Sequence, residues 1–222
     1  MALRRREKRT ERSKLDATPP WETKHRDQPK PTTGPYDERD APADDIARID
    51  LGAMLIPATP GIDVRLDVAE DQQVVSATLV TAFGQMQLGV FAAPRNDGIW
   101  DEVRAEIKDS VTAQSGSVRD STDGLFGTEL LGKLKMDGAL TPVRFIGVDG
   151  PRWFLRAMLV GVAANEAAKA APFENVLREI VVVRGADPLP VREPVPLRLP
   201  KQAEADGEVL AGPDEEQTQA HG

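Results

Sequence analysis

Residues 141–160 read TPVRFIGVDGPRWFLRAMLV, from Thr141 to Val160, and this dense apolar run decides the fold. One turn signal breaks it, Asp149-Gly150-Pro151. Asp-Gly between two β-prone runs predicts a β-hairpin. Pro151 lacks the N–H of a tight two-residue turn, so a longer loop through Arg152 fits equally well. Alternation along a strand puts Arg144, Ile146, Val148, Trp153, Leu155 and Leu159 on one face. Val143, Phe145, Phe154, Arg156 and Met158 fall on the other. Neither face can be left in water, so the hairpin belongs at the centre of a sheet covered on both sides.

Working outward, residues 64–68, 74–80 and 86–90 alternate as three strands of a meander, and Pro94 stops the third. Ile49, Leu51 and Leu55 lead into a turn over residues 57–61. Asn96 or Asp97 is positioned to cap a helix over about residues 99–113. Asp101 and Glu102 stand in its first turn, and Ile99, Val103 and Ile107 make an apolar stripe. Residues 115–124 are polar and predict a loop; residues 126–136 predict a strand. Residues 161–171 begin helically, and Pro172 suits the first position of a fresh helix carrying Phe173, Val176, Leu177 and Ile180. Residues 181–183 predict a short strand. The prolines from Pro188 to Pro200 predict a surface strap that does not pair within the sheet.

The fold class is therefore α+β: a single domain with a mainly antiparallel sheet and two principal helices. Residues 99–107 and 172–180 share an aromatic residue, an acid, a Val and a closing Glu-Ile. That likeness raises two repeated strand-strand-helix halves as a reading, against the plain one that amphipathic helices share such spacing.

The chain has 222 residues and a net charge of −8, unevenly spread. Residues 1–44 are charged and Pro-rich and predict a disordered basic arm; 45–200 form the globular domain ending in the strap; 201–222 predict a disordered acidic tail. Arg4, Arg5, Arg6, Lys8 and Arg9 of the arm are candidates for phosphate contact, with a solvated tail as the plain alternative. There is no Cys, which excludes disulfides and thiol chemistry and fits a reducing cytoplasm. No apolar run is long enough to span a bilayer.

Several phrases, in this order, resemble the actinobacterial domain-of-unknown-function family 3710. They are Phe91-Ala92-Ala93-Pro94-Arg95, then Gly98 to Arg104 (GIWDEVR), then Phe126 to Leu130 (FGTEL), then Val148 to Arg156 (VDGPRWFLR). The resemblance covers about residues 44–200. It implies a cytoplasmic actinobacterial protein, and brings neither an activity nor a functional residue.

His25 and His221 lie in the arm and the tail, so the predicted domain holds no imidazole for a catalytic triad or a metal. No phosphate-binding glycine loop has the required spacing, and no cofactor is expected. Arg144, Arg152, Arg156 and Arg95, around the hairpin, are the candidate binding residues, because a guanidinium forks onto carboxylate or phosphate. The alternative is structural pairing with Asp149, Glu129 or Glu179. The leading expectation is a non-enzymatic interaction or adaptor domain with a protein partner. The rivals are a nucleic-acid accessory factor using the basic arm, and a small anionic ligand binder or enzyme.

Overall fold

The structure, a computed structural model, describes residues 33–200 apart from 69–73 and Asn96. The arm over residues 1–32, its candidate phosphate contacts included, and the tail over 201–222 lie outside the described residues. Eleven strands and two α-helices follow in chain order: β1 (Tyr36–Asp37), β2 (Arg48–Asp50), β3 (Met54–Pro57), β4 (Asp63–Val68), β5 (Val74–Thr81), β6 (Gly84–Ala92), α1 (Trp100–Ala113), β7 (Ser117–Gly124), β8 (Gly127–Met136), β9 (Ala139–Gly150), β10 (Trp153–Gly161), α2 (Ala167–Glu179) and β11 (Val181–Val182). A 3-10 turn, Val162–Ala164, joins β10 to α2.

The hairpin β9–β10 holds the middle of a seven-stranded antiparallel sheet of order β4-β5-β6-β10-β9-β8-β7. Leu155 faces Val148 and Met158 faces Phe145, so the two faces fall as the alternation requires. Both are covered. On the first, Ile146, Trp153, Leu155 and Leu159 pack with Phe173, Val176 and Leu177 of α2 and with Met54 and Ile56 of a smaller sheet, β1-β11-β3-β2. On the second, Val143, Phe145, Phe154 and Val160 pack with Ile99, Trp100 and Val111 at the two ends of α1. The architecture is α+β, with antiparallel pairing everywhere except between β1 and β11.

The hairpin turn is Pro151-Arg152, because Gly150 already pairs with Trp153. Arg152 sits at φ 66 after a proline, the arrangement of a type II turn, with Arg where glycine is usual. Asp149 is thereby freed for another task. Helix α1 has no cap of its own at Ile99, and Asp97 does not serve, while Asn96 lies outside the described residues. The carboxylate of Asp149 accepts instead from the N–H of Ile99 (2.8 Å) and of Trp100 (3.3 Å). Gly98 makes this approach possible, since a Cβ there would strike the Asp149 carboxylate.

Other expectations are corrected. Residues 117–124 form β7, an edge strand; their polarity reflects an edge with little to bury, not a loop. Pro172 lies inside α2 as its sixth residue, where it withholds the N–H that would bond the carbonyl of Ala168. Residues 48–50 and 54–57 are strands of the small sheet. The domain reaches back into the predicted arm: Tyr36 and Asp37 are buried as β1, and Asp37 Oδ2 accepts from the Trp153 indole at 3.0 Å.

The strap does pair. Val195 N–H donates to Val90 O (2.8 Å) and Ala92 N–H to Glu193 O (2.8 Å), and Leu197 bridges to Val74. It seats where β5 and β6 diverge beyond Ala77 and Leu88, and so buries Val195 and Leu197 in the core. As for the repeat, two meanders do meet antiparallel at β6 and β10. The twofold that would relate them keeps each face in place, yet α1 and α2 lie on opposite faces. The helices therefore do not follow the symmetry of the strands. Among the described residues, no helix is long and apolar enough to cross a membrane.

Candidate functional site

The four candidate arginines do not converge on one site. Arg144 and Arg156 point to opposite faces of the sheet, as the alternation along β9 and β10 dictates. Arg152 is at the turn, and Arg95 is exposed on the segment before α1.

Arg144 is a structural cation. Its Nε and Nη2 donate to Glu129 at 2.5 and 3.1 Å, and its Nη1 donates to Glu174 of α2 at 2.6 Å. Glu129 is 2% exposed and Arg144 9%. Burial pulls the Arg144 pKa down, but its bonds to Glu129 and then Glu174 outweigh it, and the net shift is upward. The triad forms the floor of a cavity of about 350 Å³ that is walled by Asp123 and Leu125 of the β7–β8 hairpin and by Asn165 and Glu166 before α2. The sequence supplied Glu129 as a partner; Glu174, on a helix thirty positions away, was not foreseen.

Arg156 meets no acid among the described residues. Its guanidinium carbon lies 5.1 Å from the centre of the Phe91 ring. Burial alone pushes its pKa down. Phe91 and Phe154 are tilted neighbours at 6.2 Å, and Phe154 stacks on Trp100 at 5.9 Å. The Trp100 indole lies over Gly147, where any Cβ would collide with it, and its Nε1 donates to Thr128 O at 2.6 Å.

At the turn, Arg152 O accepts from Ala93 N–H (3.0 Å) and from Arg184 Nε (3.2 Å). Arg184 is buried, and its second bond goes to Asp187 O at 3.1 Å. Burial first, and then the charge of Arg152, push the Arg184 pKa down, so the two cations are close. Arg184 was also missed, because nothing local in Val183-Arg184-Gly185 signals contact with the hairpin.

A second concavity was not anticipated at all. A groove of about 750 Å³ runs between Ile49 of β2 and residues 63–65 of β4, floored by Ala58, Pro60 and Ile62. β2 ends the small sheet and β4 ends the large one, so two free strand edges border it. Among the described residues no three His, Cys, Asp or Glu side chains gather to hold a metal ion.

A β-rich α+β domain organised on one central hairpin is thus the class that the fold defines. The family model described as a protein of unknown function, DUF3710, matches residues 34–206, and the chain belongs to that family. No curated protein matches the chain. A solved structure from Bacteroides thetaiotaomicron VPI-5482 is similar at 14% identity with a TM-score of 0.38; the match covers 62% of this chain and 48% of that one.

Proposed function

We propose that the chain is a non-enzymatic interaction or adaptor domain whose partner docks as an extended segment in the groove between β2 and β4. The observation that carries this reading is the pair of sheet edges on one groove. An edge strand presents unpaired N–H and C=O groups, which an incoming strand satisfies while alternate side chains choose the partner. The groove supplies apolar contacts through Ile49, Ile62 and Val64, and charge through Asp63 and Arg65, neither of which has an ion-pair partner among the described residues. Residues opposite them on the partner would carry complementary charges, basic against Asp63 and acidic against Arg65. Glu129 and Glu174, the carboxylates on the floor of the second cavity, are committed to Arg144, which supports the non-catalytic half of the reading. A protein without Cys also suits a reducing compartment such as the cytoplasm.

The test places a photo-crosslinking side chain at Arg65 and, as a control, at Asp137 of the β8–β9 turn, in the full chain in native extract. The expected result is one contiguous partner segment joined at position 65, absent at 137, and lost when Ile62→Asp is added. Equal yields at the two positions would overturn the reading.

A further inference from the structure

A second binding surface follows from Arg156, on the far side of the sheet from the Arg144 triad. Helix α1 packs on β7 and β9 and leaves the second face of β4, β5 and β6 without a helix among the described residues. Arg156 stands at the border of that region. It pairs across the sheet with Gly89 of β6 and Gly147 of β9, so neither cross-strand neighbour offers it a side chain. Of the other buried or half-buried guanidiniums, Arg48 has Asp44, Arg104 has Asp101 and Asp120, Arg144 has its two glutamates, Arg178 has Asn175, and Arg184 has two backbone carbonyls; only Arg152, at the turn, shares the lack of an oxygen among the described residues. Arg156 has the Phe91 ring alone, with neither an ion pair nor a hydrogen bond among the described residues.

Half-burying a charge without neutralising it costs free energy. A ring face returns only part of that cost. None of the Arg156 nitrogens is sealed from solvent, because the one buried nitrogen left without a partner belongs to Arg104. Its fork is thus open to an incoming group while its guanidinium lies over the Phe91 ring. The polar side chains beside it are already oriented: Gln87 donates to Ser76 Oγ at 3.2 Å, and Ser76 and Thr78 both donate to Asp67. Asp67, two strands further out and engaged by those hydroxyls, is too remote to neutralise Arg156.

We propose that Arg156 is the receptor of a small oxyanion, a carboxylate or phosphate group, bound against Phe91 on the open half of this face. Two parallel N–H donors match either group, and a partly desolvated guanidinium binds it more strongly than one in water. Arg152 does not share the ligand, since four residues of strand separate the two by about 13 Å. The site is independent of the β2–β4 groove, and either can fail alone.

The experiment is an NMR titration of the full chain, following the arginine Nε–Hε resonances, with inorganic phosphate in one series and citrate in the other. The Arg156 resonance is identified by its loss in Arg156→Lys. A saturable shift of that resonance with at least one anion is expected, and the affinity read from the anion-dependent rise in melting temperature should weaken about tenfold or more in Arg156→Gln. Phosphate alone or citrate alone would identify which oxyanion is read. Arg156→Gln should melt no lower than the native chain without anion, and should lose the rise in melting temperature that the anion produces. Absence of a saturable shift with both anions, or an equal anion-dependent rise in melting temperature in Arg156→Gln, overturns the proposal.

Discussion

Replacing Arg144 by Met tests the reading of the buried triad. The side chain fits the same channel between β9 and α2 but removes the charge that Glu129 and Glu174 share. Glu129, 2% exposed, would keep a carboxylate that had accepted bonds at 2.5 and 3.1 Å and now accepts neither. Breaking one partner of a buried pair costs about 3–5 kcal/mol, mostly because the other charge is left desolvated. A domain of this size shifts its melting temperature by about 2–4 °C per kcal/mol, so a fall of about 6–20 °C is expected. Urea melts of Arg144→Met, Glu129→Gln and the double variant decide the matter. If the cost lies in the orphaned charge, the double variant should regain all but about 1 kcal/mol, since neutral groups of similar shape often replace a buried pair without loss. Arg144→Met losing less than about 1 kcal/mol would refute the structural assignment. A double variant as weak as Arg144→Met would show that packing, not charge, is what Arg144 supplies.

Asp149→Ala should cost about 1–2 kcal/mol in urea melts by uncapping α1, while Asp97→Ala should cost almost nothing. Trp153→Ala should lose about 3–5 kcal/mol as a large buried aromatic. Trp153→Phe should lose about 1–3 kcal/mol by leaving Asp37 a donor short. Asp120, bonded to Lys108, has its pKa held below the ordinary carboxylate value, first by that hydrogen bond and then by the charges of Lys108 and Arg104, against some desolvation. A lowered folded value gives stability that is present above the unfolded pKa and lost as pH falls through the folded one. Asp120→Asn should therefore be less stable than the native chain near neutral pH, and equal to it in strong acid, in denaturant melts at both.

What the sequence reveals of this fold depends on how far apart the deciding residues lie. The hairpin, its two faces and its central place are local consequences of alternation between Val143 and Leu159, and all are present. The three-strand meander and both helices are legible for the same reason. β7 was hidden because an edge strand has little apolar surface to display. The cap of α1 was hidden because its acceptor lies 50 positions downstream, and a plausible local acceptor, Asp97, stood in view. The strap concealed its pairing because prolines advertise missing donors, while Val195 and the N–H of Ala92 still had bonds to make. Of the candidate site, alternation already separated Arg144 from Arg156; only contacts across the domain reveal that one is neutralised and the other is not.

Most residues in the phrases that resemble the family have a visible structural task. Gly98 admits Asp149, Asp149 caps α1, Trp100 covers Gly147 and holds Thr128, Glu129 holds Arg144, and Trp153 holds Asp37. Arg104 ties Asp101 to Asp120. These phrases thus converge on one knot around the hairpin, and the likeness that they carry is first a likeness of packing. Three charged side chains in the same phrases take no part in that bonding among the described residues: Arg95, Arg152 and Arg156. Arg95 is exposed, so solvation accounts for it. Arg152 contributes its backbone, whose carbonyl takes two donors, and its left-handed conformation shapes the turn. Arg156 is different, because burial lowers its pKa and no acid among the described residues offsets that burial. A domain that neutralises Arg144 twice over on one face had the means to do so on the other, so the cation beside Phe91, unpaired among the described residues, is where packing stops explaining the sequence and where the proposed oxyanion site offers a reason for it.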